Sequence, residues 1–324
     1  MNWKNDFISL YTAGTPADYC NALDLKRNNL PKRLYRYRPI TDASLKYRFN
    51  EIVRGELWLS HPKELNDPFE CCSHLRVSEP GYYFDDKKLF EEMAKGIFEP
   101  KDFIEIFESE KWFDSLIAYI SEKSTTAERV EAAIKKAIMS EIERVNYLFN
   151  ALCRHFVRFA SFTTNPLNLP MWNHYTNGHK GICMEYNTLD IQNIYQKNML
   201  FPVFYVEKLP DLTSELIKNR KTEFLIFDYI AMHKLKDWAY EEEWRLIHNA
   251  GAWYSCLEDT PEDFYDKGKA IQFIKPSKII LGTQISDDHK SEIVQMANKA
   301  NVPVLQSKQT EYGLRIADEL PEKD

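Results

Sequence analysis

Residues 85–155 hold only Gly96 and Pro100, while Phe, Ile and Leu recur at three- and four-residue spacing among Glu and Lys. Glycine and proline are the residues that interrupt a helix, and apolar spacing of 3.6 makes one face of it bury. The stretch is therefore predicted to be helical throughout, with its charges on a solvated face. Outside it the pattern changes to short segments rich in β-branched and aromatic residues: 33–38, 56–60, 157–163, 181–186, 203–206, 243–248, 270–274 and 278–281. Such segments read as strands. Helices are predicted from Thr15-Pro16 to Lys26, from Thr41 to Val53 with Gly55 closing the end, over 212–235 and over 287–300.

Runs of strands with helices inserted among them, without a strict strand–helix rhythm, predict an α+β fold with a mixed, mostly antiparallel sheet. The expected organisation is a helical cap over 1–30, a core assembled from 31–84 and 156–316, a helical insertion over 85–155 and a frayed tail over 317–324.

A chain of 324 residues with 44% hydrophobic content can bury a substantial core. Its net charge of -7 argues against general affinity for nucleic acid or anionic membranes. The six cysteines, with Cys71 and Cys72 adjacent, show no paired metal-type spacing and make a poor disulfide framework, so reduced thiols in a cytoplasm are expected. No apolar run approaches the ~20 residues needed to span a bilayer. No metal site is expected: His174, His179 and Cys183 match no spacing of a known ligand motif. GxxxxGK[ST], GxGxxG, HExxH and GxSxG are all absent, which disfavours P-loop enzymes, dinucleotide dehydrogenases, zincins and α/β-hydrolases.

Four clusters carry candidate chemistry. Trp238-Ala-Tyr-Glu241-Glu-Glu243-Trp-Arg245 reads as one strand, whose alternation would put Glu241, Glu243 and Arg245 on a single face. Two neighbouring carboxylates suit a polar or cationic ligand, or developing positive charge. A solvated Glu/Arg ladder is the plain alternative. Tyr35-Arg36-Tyr37-Arg38 puts two arginines on one face, suited to phosphate or carboxylate, and two tyrosines on the other. The 61–70 segment, with Asn66, Asp67, Pro68 and Glu70, is a turn that either clamps a loop or lines a site. Ser161, Thr163, Trp172, Tyr175 and His179 would suit a pocket for a flat ring, though Trp172 equally suits a core.

The ordered set Leu-Tyr-Arg-Tyr-Arg, Leu-Trp-Leu-Ser, Asn-Asp-Pro-Phe-Glu, Ser-Phe-Thr, Met-Trp-x-x-Tyr, Lys-Gly-Ile, Trp-x-Tyr-Glu-x-Glu-Trp-Arg and Ile-Leu-Gly resembles the bacterial domain-of-unknown-function family DUF2971 from about Leu34 to about Leu305. Some members lie among abortive-infection and phage-defence genes, so the resemblance implies a defence role, with a phage or toxin–antitoxin component as partner. More distantly, the layout is similar to ADP-ribosyltransferases of the Arg, Ser-Thr-Ser, Glu-x-Glu kind. That likeness implies NAD as substrate, with Arg36 at the pyrophosphate, Glu243 as the catalytic glutamate and Glu241 positioning a protein or nucleic-acid acceptor. Trp172 or Tyr175 would stack on nicotinamide. Ser161-Phe-Thr163 departs from the Ser-Thr-Ser pattern. A carboxylate near the ribose would stabilise the oxocarbenium-like state of nicotinamide loss. Two other readings stay open: a sensor that binds a nucleotide or phage protein without turnover, and a metal-dependent nuclease using Asp67, Glu70, Glu241 and Glu243.

Overall fold

Why the strands fall where they do is visible in the alternation of the longest ones. In the computed structural model, which describes residues 3–74, 99–108, 115–116, 118–119, 122, 127–212, 225–249 and 268–316, β1 (Arg33–Arg38), β3 (Val157–Thr163) and β8 (Glu243–Asn249) are neighbouring strands of one sheet. The others in that sheet are β4 (Ile182–Asn187), β5 (Leu200–Pro202), β10 (Lys278–Leu281), β11 (Val304–Thr310) and β12 (Gly313–Ile316), in the order β12-β11-β10-β4-β1-β3-β8-β5. All of its pairings are antiparallel except β10 with β11. Two small sheets accompany it: β2 (Glu56–Leu59) pairs with β9 (Lys269–Gln272), and β6 (Phe204–Val206) runs parallel to β7 (His233–Leu235). The fold is α+β with a mostly antiparallel eight-stranded sheet.

Each face of that sheet packs on a different cluster. On one, Leu34, Ala160, Phe162, Met184, Trp244, Leu246, Ile279 and Leu281 meet Ile52 and the Ile293, Met296 and Ala297 stripe of helix Asp287–Ala300. On the other, Tyr35, Tyr37, Cys183 and Ile280 meet Met171 and Trp172 of helix Leu169–Tyr175. Period-two burial on both faces is what fixes the register, since a one-residue slip would exchange the two sets.

The caps follow the side-chain chemistry expected of them. Thr15 accepts from Asp18 N before helix Pro16–Asn28, and Ser286 accepts from His289 N before Asp287–Ala300. The predicted helix from Thr41 is a composite: a 3₁₀ turn over Asp42–Ser44, an α-helix over Leu45–Phe49 and a π-turn over Asn50–Arg54, closed by Gly55 at φ 70°.

Several expectations need correction. The strand expected across 238–247 begins only at Glu243; Lys236–Glu241 is a 3₁₀ helix, and Glu242 turns the chain at φ 45°. Glu241 therefore does not take part in the alternation of Glu243 and Arg245. The helix expected over 212–235 is described only at Ile226–Ala231, and β7 follows it at once; residues 213–224 lie outside the described residues. A short helix, Leu169–Tyr175, lies between β3 and β4 where none was predicted, and the predicted 203–206 strand is the second of two, β5 and β6. The hairpin of β11 and β12 went unpredicted.

The chain divides into two compact units, one of residues 1–72, 153–209 and 221–324, the other of 73–152 and 210–220. The second contains helix Pro100–Phe107, most of helix Ala127–Phe156 and a bridge between His74 and Asp211. The predicted tail 317–324 and much of 85–126 lie outside the described residues.

A Cβ on Gly181 would lie 2.1 Å from the Arg38 carbonyl oxygen, a rigid backbone neighbour. Gly181→Ala is expected to cost about 1–3 kcal/mol of stability, seen as a lower urea midpoint with an unchanged slope. An unchanged midpoint would show that β1 and the turn before β4 do not approach so closely.

Candidate functional site

Five charged side chains converge on the sheet face that carries Tyr35, and all are buried. Arg245 leaves β8 with no exposed surface; its Nε donates to Glu243 Oε1 at 2.8 Å and its Nη2 to Glu243 Oε2 at 2.9 Å. The same Nη2 donates to Glu70 Oε1 at 2.8 Å, and Nη1 to the Ala231 carbonyl at 2.7 Å. Its guanidinium lies over the Phe159 ring at 4.4 Å. Lys234, from β7, reaches Glu241 Oε2 at 2.6 Å, Glu243 Oε2 at 3.4 Å and Glu70 Oε1 at 3.4 Å.

Local structure explains how Glu241 joins this group from outside the strand. Glu242 adopts a left-handed conformation, while its own carboxylate accepts from Thr164 Oγ1 at 2.6 Å. The turn swings Glu241 beside Lys234, and Tyr175 donates its hydroxyl to Glu241 Oε1 at 2.5 Å. The Glu243 amide donates to Tyr205 Oη at 2.7 Å, which ties β6 to the start of β8.

Three carboxylates thus face two cations, an excess of one negative charge. Burial pushes the Glu243 carboxyl up, but the charges of Arg245 and Lys234, with hydrogen bonds from Arg245 and Ser161, more than offset that and hold it at about 2. Glu241 moves the other way, raised by burial and then by the Glu243 charge. Burial lowers Lys234, yet Glu243, Glu70 and Glu241 together carry it above its ordinary value. Glu70 Oε2 is buried and has no hydrogen-bond partner among the described residues.

Beside the cluster lies a cavity of about 140 Å³. Glu70, Glu241, Glu243 and Lys234 line it, with Tyr35, Tyr37, Asn66, Ser161, Met171 and Tyr175. Its volume is close to that of the ~150 Å³ engineered cavities that hold one benzene ring. It opens where β1 and β3 separate: they pair only at Tyr35 and Thr163, and further along Ser60 bridges Phe159 in place of β1.

Of the sequence-predicted residues, Tyr35, Tyr37, Asn66, Glu70, Ser161, Tyr175, Glu241 and Glu243 meet at this cavity, and Arg245 supports it from below. Arg36 and Arg38 are also among its lining residues, whereas Asp67, Thr163, Trp172 and His179 are not. The side chain of Arg36 lies on the opposite sheet face, over Phe162 at 5.6 Å and 3.6 Å from Glu51; Arg38 also pairs with Glu51, at 3.4 Å. Asp67 accepts from the Phe69 amide at 2.9 Å, a turn clamp. Thr163 accepts from the Asn165 amide. Trp172 is a core residue, donating to the Pro166 carbonyl and packed between the edge of Tyr37 and the stacked ring of His179. Lys234 was missed, because it sits alone in a three-residue strand within a region that reads as helix. Among the described residues, no group of three His, Cys, Asp or Glu is placed to hold a metal ion.

The model of a family described as "Protein of unknown function (DUF2971)" matches residues 171–246. This segment is similar to the DUF2971 family. It runs from helix Leu169–Tyr175 into β8 and carries four of the five clustered charges, Lys234, Glu241, Glu243 and Arg245; Glu70 comes from outside it. Tyr175 is also a DUF2971-segment residue, whereas Tyr35, Tyr37 and Ser161 are not. No curated protein and no solved structure matches the chain.

Removing one member of a buried ionic group leaves its partners uncompensated, so Arg245→Met is expected to cost about 3–5 kcal/mol at neutral pH. Glu243, lowered from 4.5 to about 2, stabilises the fold fully above about pH 4.5 and loses that contribution as pH falls toward 2. The stability gap between native and Arg245→Met chains should therefore narrow over that range in urea titrations. A gap that does not change with pH would separate Glu243 from Arg245.

Proposed function

We propose that the cavity binds a flat cationic or amide-bearing ring, that this ring is the nicotinamide of NAD, and that the chain is an NAD-consuming enzyme of ADP-ribosyltransferase or glycohydrolase type acting in bacterial phage defence. The observation that carries the reading is the charge imbalance: three buried carboxylates against two cations, one carboxylate oxygen without a partner, beside a tyrosine-walled space sized for one ring. A pyridinium supplies the missing positive charge, and tyrosine faces favour it over a neutral ring. As the glycosidic bond to ribose lengthens, positive charge grows on the sugar. Preoriented carboxylates stabilise that charge without reorganising.

The geometry redistributes the roles. Glu243 is held by Arg245 in a two-point pair, so its part is to position Arg245 and Lys234 and to set the field. Glu70, with Oε2 uncommitted, is the carboxylate facing substrate, and Glu241 with Tyr175 forms the adjoining wall. Arg36 has no role in this scheme, since its side chain lies across the sheet.

The saturation of Glu243 favours a second reading, a sensor that holds the same ligand without turnover. The cations already seated between the carboxylates give the metal-dependent nuclease no comparable support.

The test is nicotinamide release from NAD by the purified chain, with and without cell lysate as the source of a protein or nucleic-acid acceptor, beside calorimetric binding of NAD and of nicotinamide. Release that falls by about 10²–10³-fold in Glu70→Gln, with melting temperature retained, is expected. Lysate dependence separates transfer from hydrolysis. Binding without release selects the sensor, and the absence of both overturns the NAD reading.

A further inference from the structure

On the sheet face opposite the carboxylate cluster, three arginines share one carboxylate. Arg36 Nη1 lies 3.6 Å from Glu51 Oε1, Arg38 Nε lies 3.4 Å from Glu51 Oε2, and Arg48 Nη1 donates to Oε2 at 2.6 Å. Tyr186 adds a hydroxyl donor to Glu51 Oε1 at 3.1 Å. One negative charge thus stands against three positive ones in a place where Arg36 and Glu51 are about 4% exposed. Uncompensated buried charge is costly, and guanidinium cannot shed it by deprotonation at ordinary pH.

The hydrogen bonding points the same way. Arg36 Nη1, Arg38 Nε and Arg48 Nε are all buried with no hydrogen-bond partner among the described residues. Apart from Arg48 to Glu51, the one hydrogen bond shown for these three guanidiniums is Arg36 Nη2 to the Trp58 carbonyl, at 3.0 Å. Three unsatisfied donors on three cations within one cluster call for an acceptor carrying negative charge. The carboxylate they share comes from the π-turn Asn50–Arg54, a rare backbone form that recurs at functional sites. Arg38, a fifth exposed, is where the cluster meets solvent.

We propose that Arg36, Arg38 and Arg48 form a binding site for a small oxyanion, a phosphate or carboxylate group, on the sheet face opposite the carboxylate cluster. The anion enters beside Arg38 and accepts from the donors that the long Glu51 contacts leave unmade. The two positive charges left over by Glu51 hold it, and the fork geometry of guanidinium suits its paired oxygens.

The experiment is a thermal-melt titration of the full chain with inorganic phosphate, and separately with acetate, against chloride at matched ionic strength. A saturable rise in melting temperature with phosphate alone assigns a phosphate site; one with acetate alone or with both assigns an oxyanion site that takes carboxylate. In either case the rise should be lost in Arg38→Gln and kept in Arg33→Gln, an arginine of the same strand whose side chain is 61% exposed. Should Arg38→Gln melt far below the native chain in chloride, Arg38→Lys replaces it, which keeps the charge and removes the Nε donor; a dissociation constant raised at least tenfold is then expected. No saturable rise with either anion, or a rise equal in the Arg38 and Arg33 variants, overturns the proposal.

Discussion

The ionic knot of Arg245, Glu243, Lys234, Glu241 and Glu70 is the constraint on which this half of the molecule depends. Each ion brought out of water costs several kcal/mol, recovered only when geometry is good and remaining hydrogen-bond capacity is filled. Arg245 meets that condition: both faces of its fork are engaged, and its last direction is taken by the Ala231 carbonyl. Because the members of the knot come from β8, β7, the 3₁₀ turn before β8 and the loop after β2, satisfying the group as a whole fixes four pieces of chain relative to each other. The short parallel pair β6–β7 is tied to this group by the hydrogen bond from the Glu243 amide to Tyr205 and by the Lys234 contacts.

How much of this was legible depends on whether a signal was local. Strands 33–38, 157–163 and 278–281 and helix 287–300 follow from alternation, apolar spacing and a serine cap, all readable within a few residues. The Glu241–Glu243 pair was legible as a pair but not as geometry. A residue at positive φ that is not glycine, here Glu242, leaves no mark in the sequence, so an unbroken strand was the natural reading. Helix Leu169–Tyr175 is only seven residues long; Asn168 as cap and Pro170 in its first turn are its signals, and both also signal a loop.

The arginines show a different limit. Alternation in 35–38 correctly separates Arg36 and Arg38 from Tyr35 and Tyr37. Which of those faces Glu243 shares is decided by two registers, Tyr35 with Thr163 and Thr163 with Glu243. Together they put Glu243 with the tyrosines, and with a one-residue slip it would have joined the arginines. Long-range register is set by which residues the two cores can bury, and no short motif reports it. The likeness of Arg36 and Glu243 to a catalytic set lies in their order along the chain, while the sheet places their side chains on opposite sides.

That separation also accounts for the cavity. β3 has one edge and two claimants for it, β1 at Thr163 and Ser60 at Phe159. Between these anchors β1 departs toward β4, with which it pairs from Arg33 to Arg38, so the edge of β3 near Ser161 faces space instead of a strand. A gap in a sheet exposes backbone polar groups and invites polar side chains, and here the carboxylates gather on one side of it and the guanidiniums on the other. The two clusters carry opposite excess charge across the same splayed strand, so each favours the burial of the other. The charge imbalance at either one is then tolerable in the folded chain while still attractive to a ligand of opposite sign.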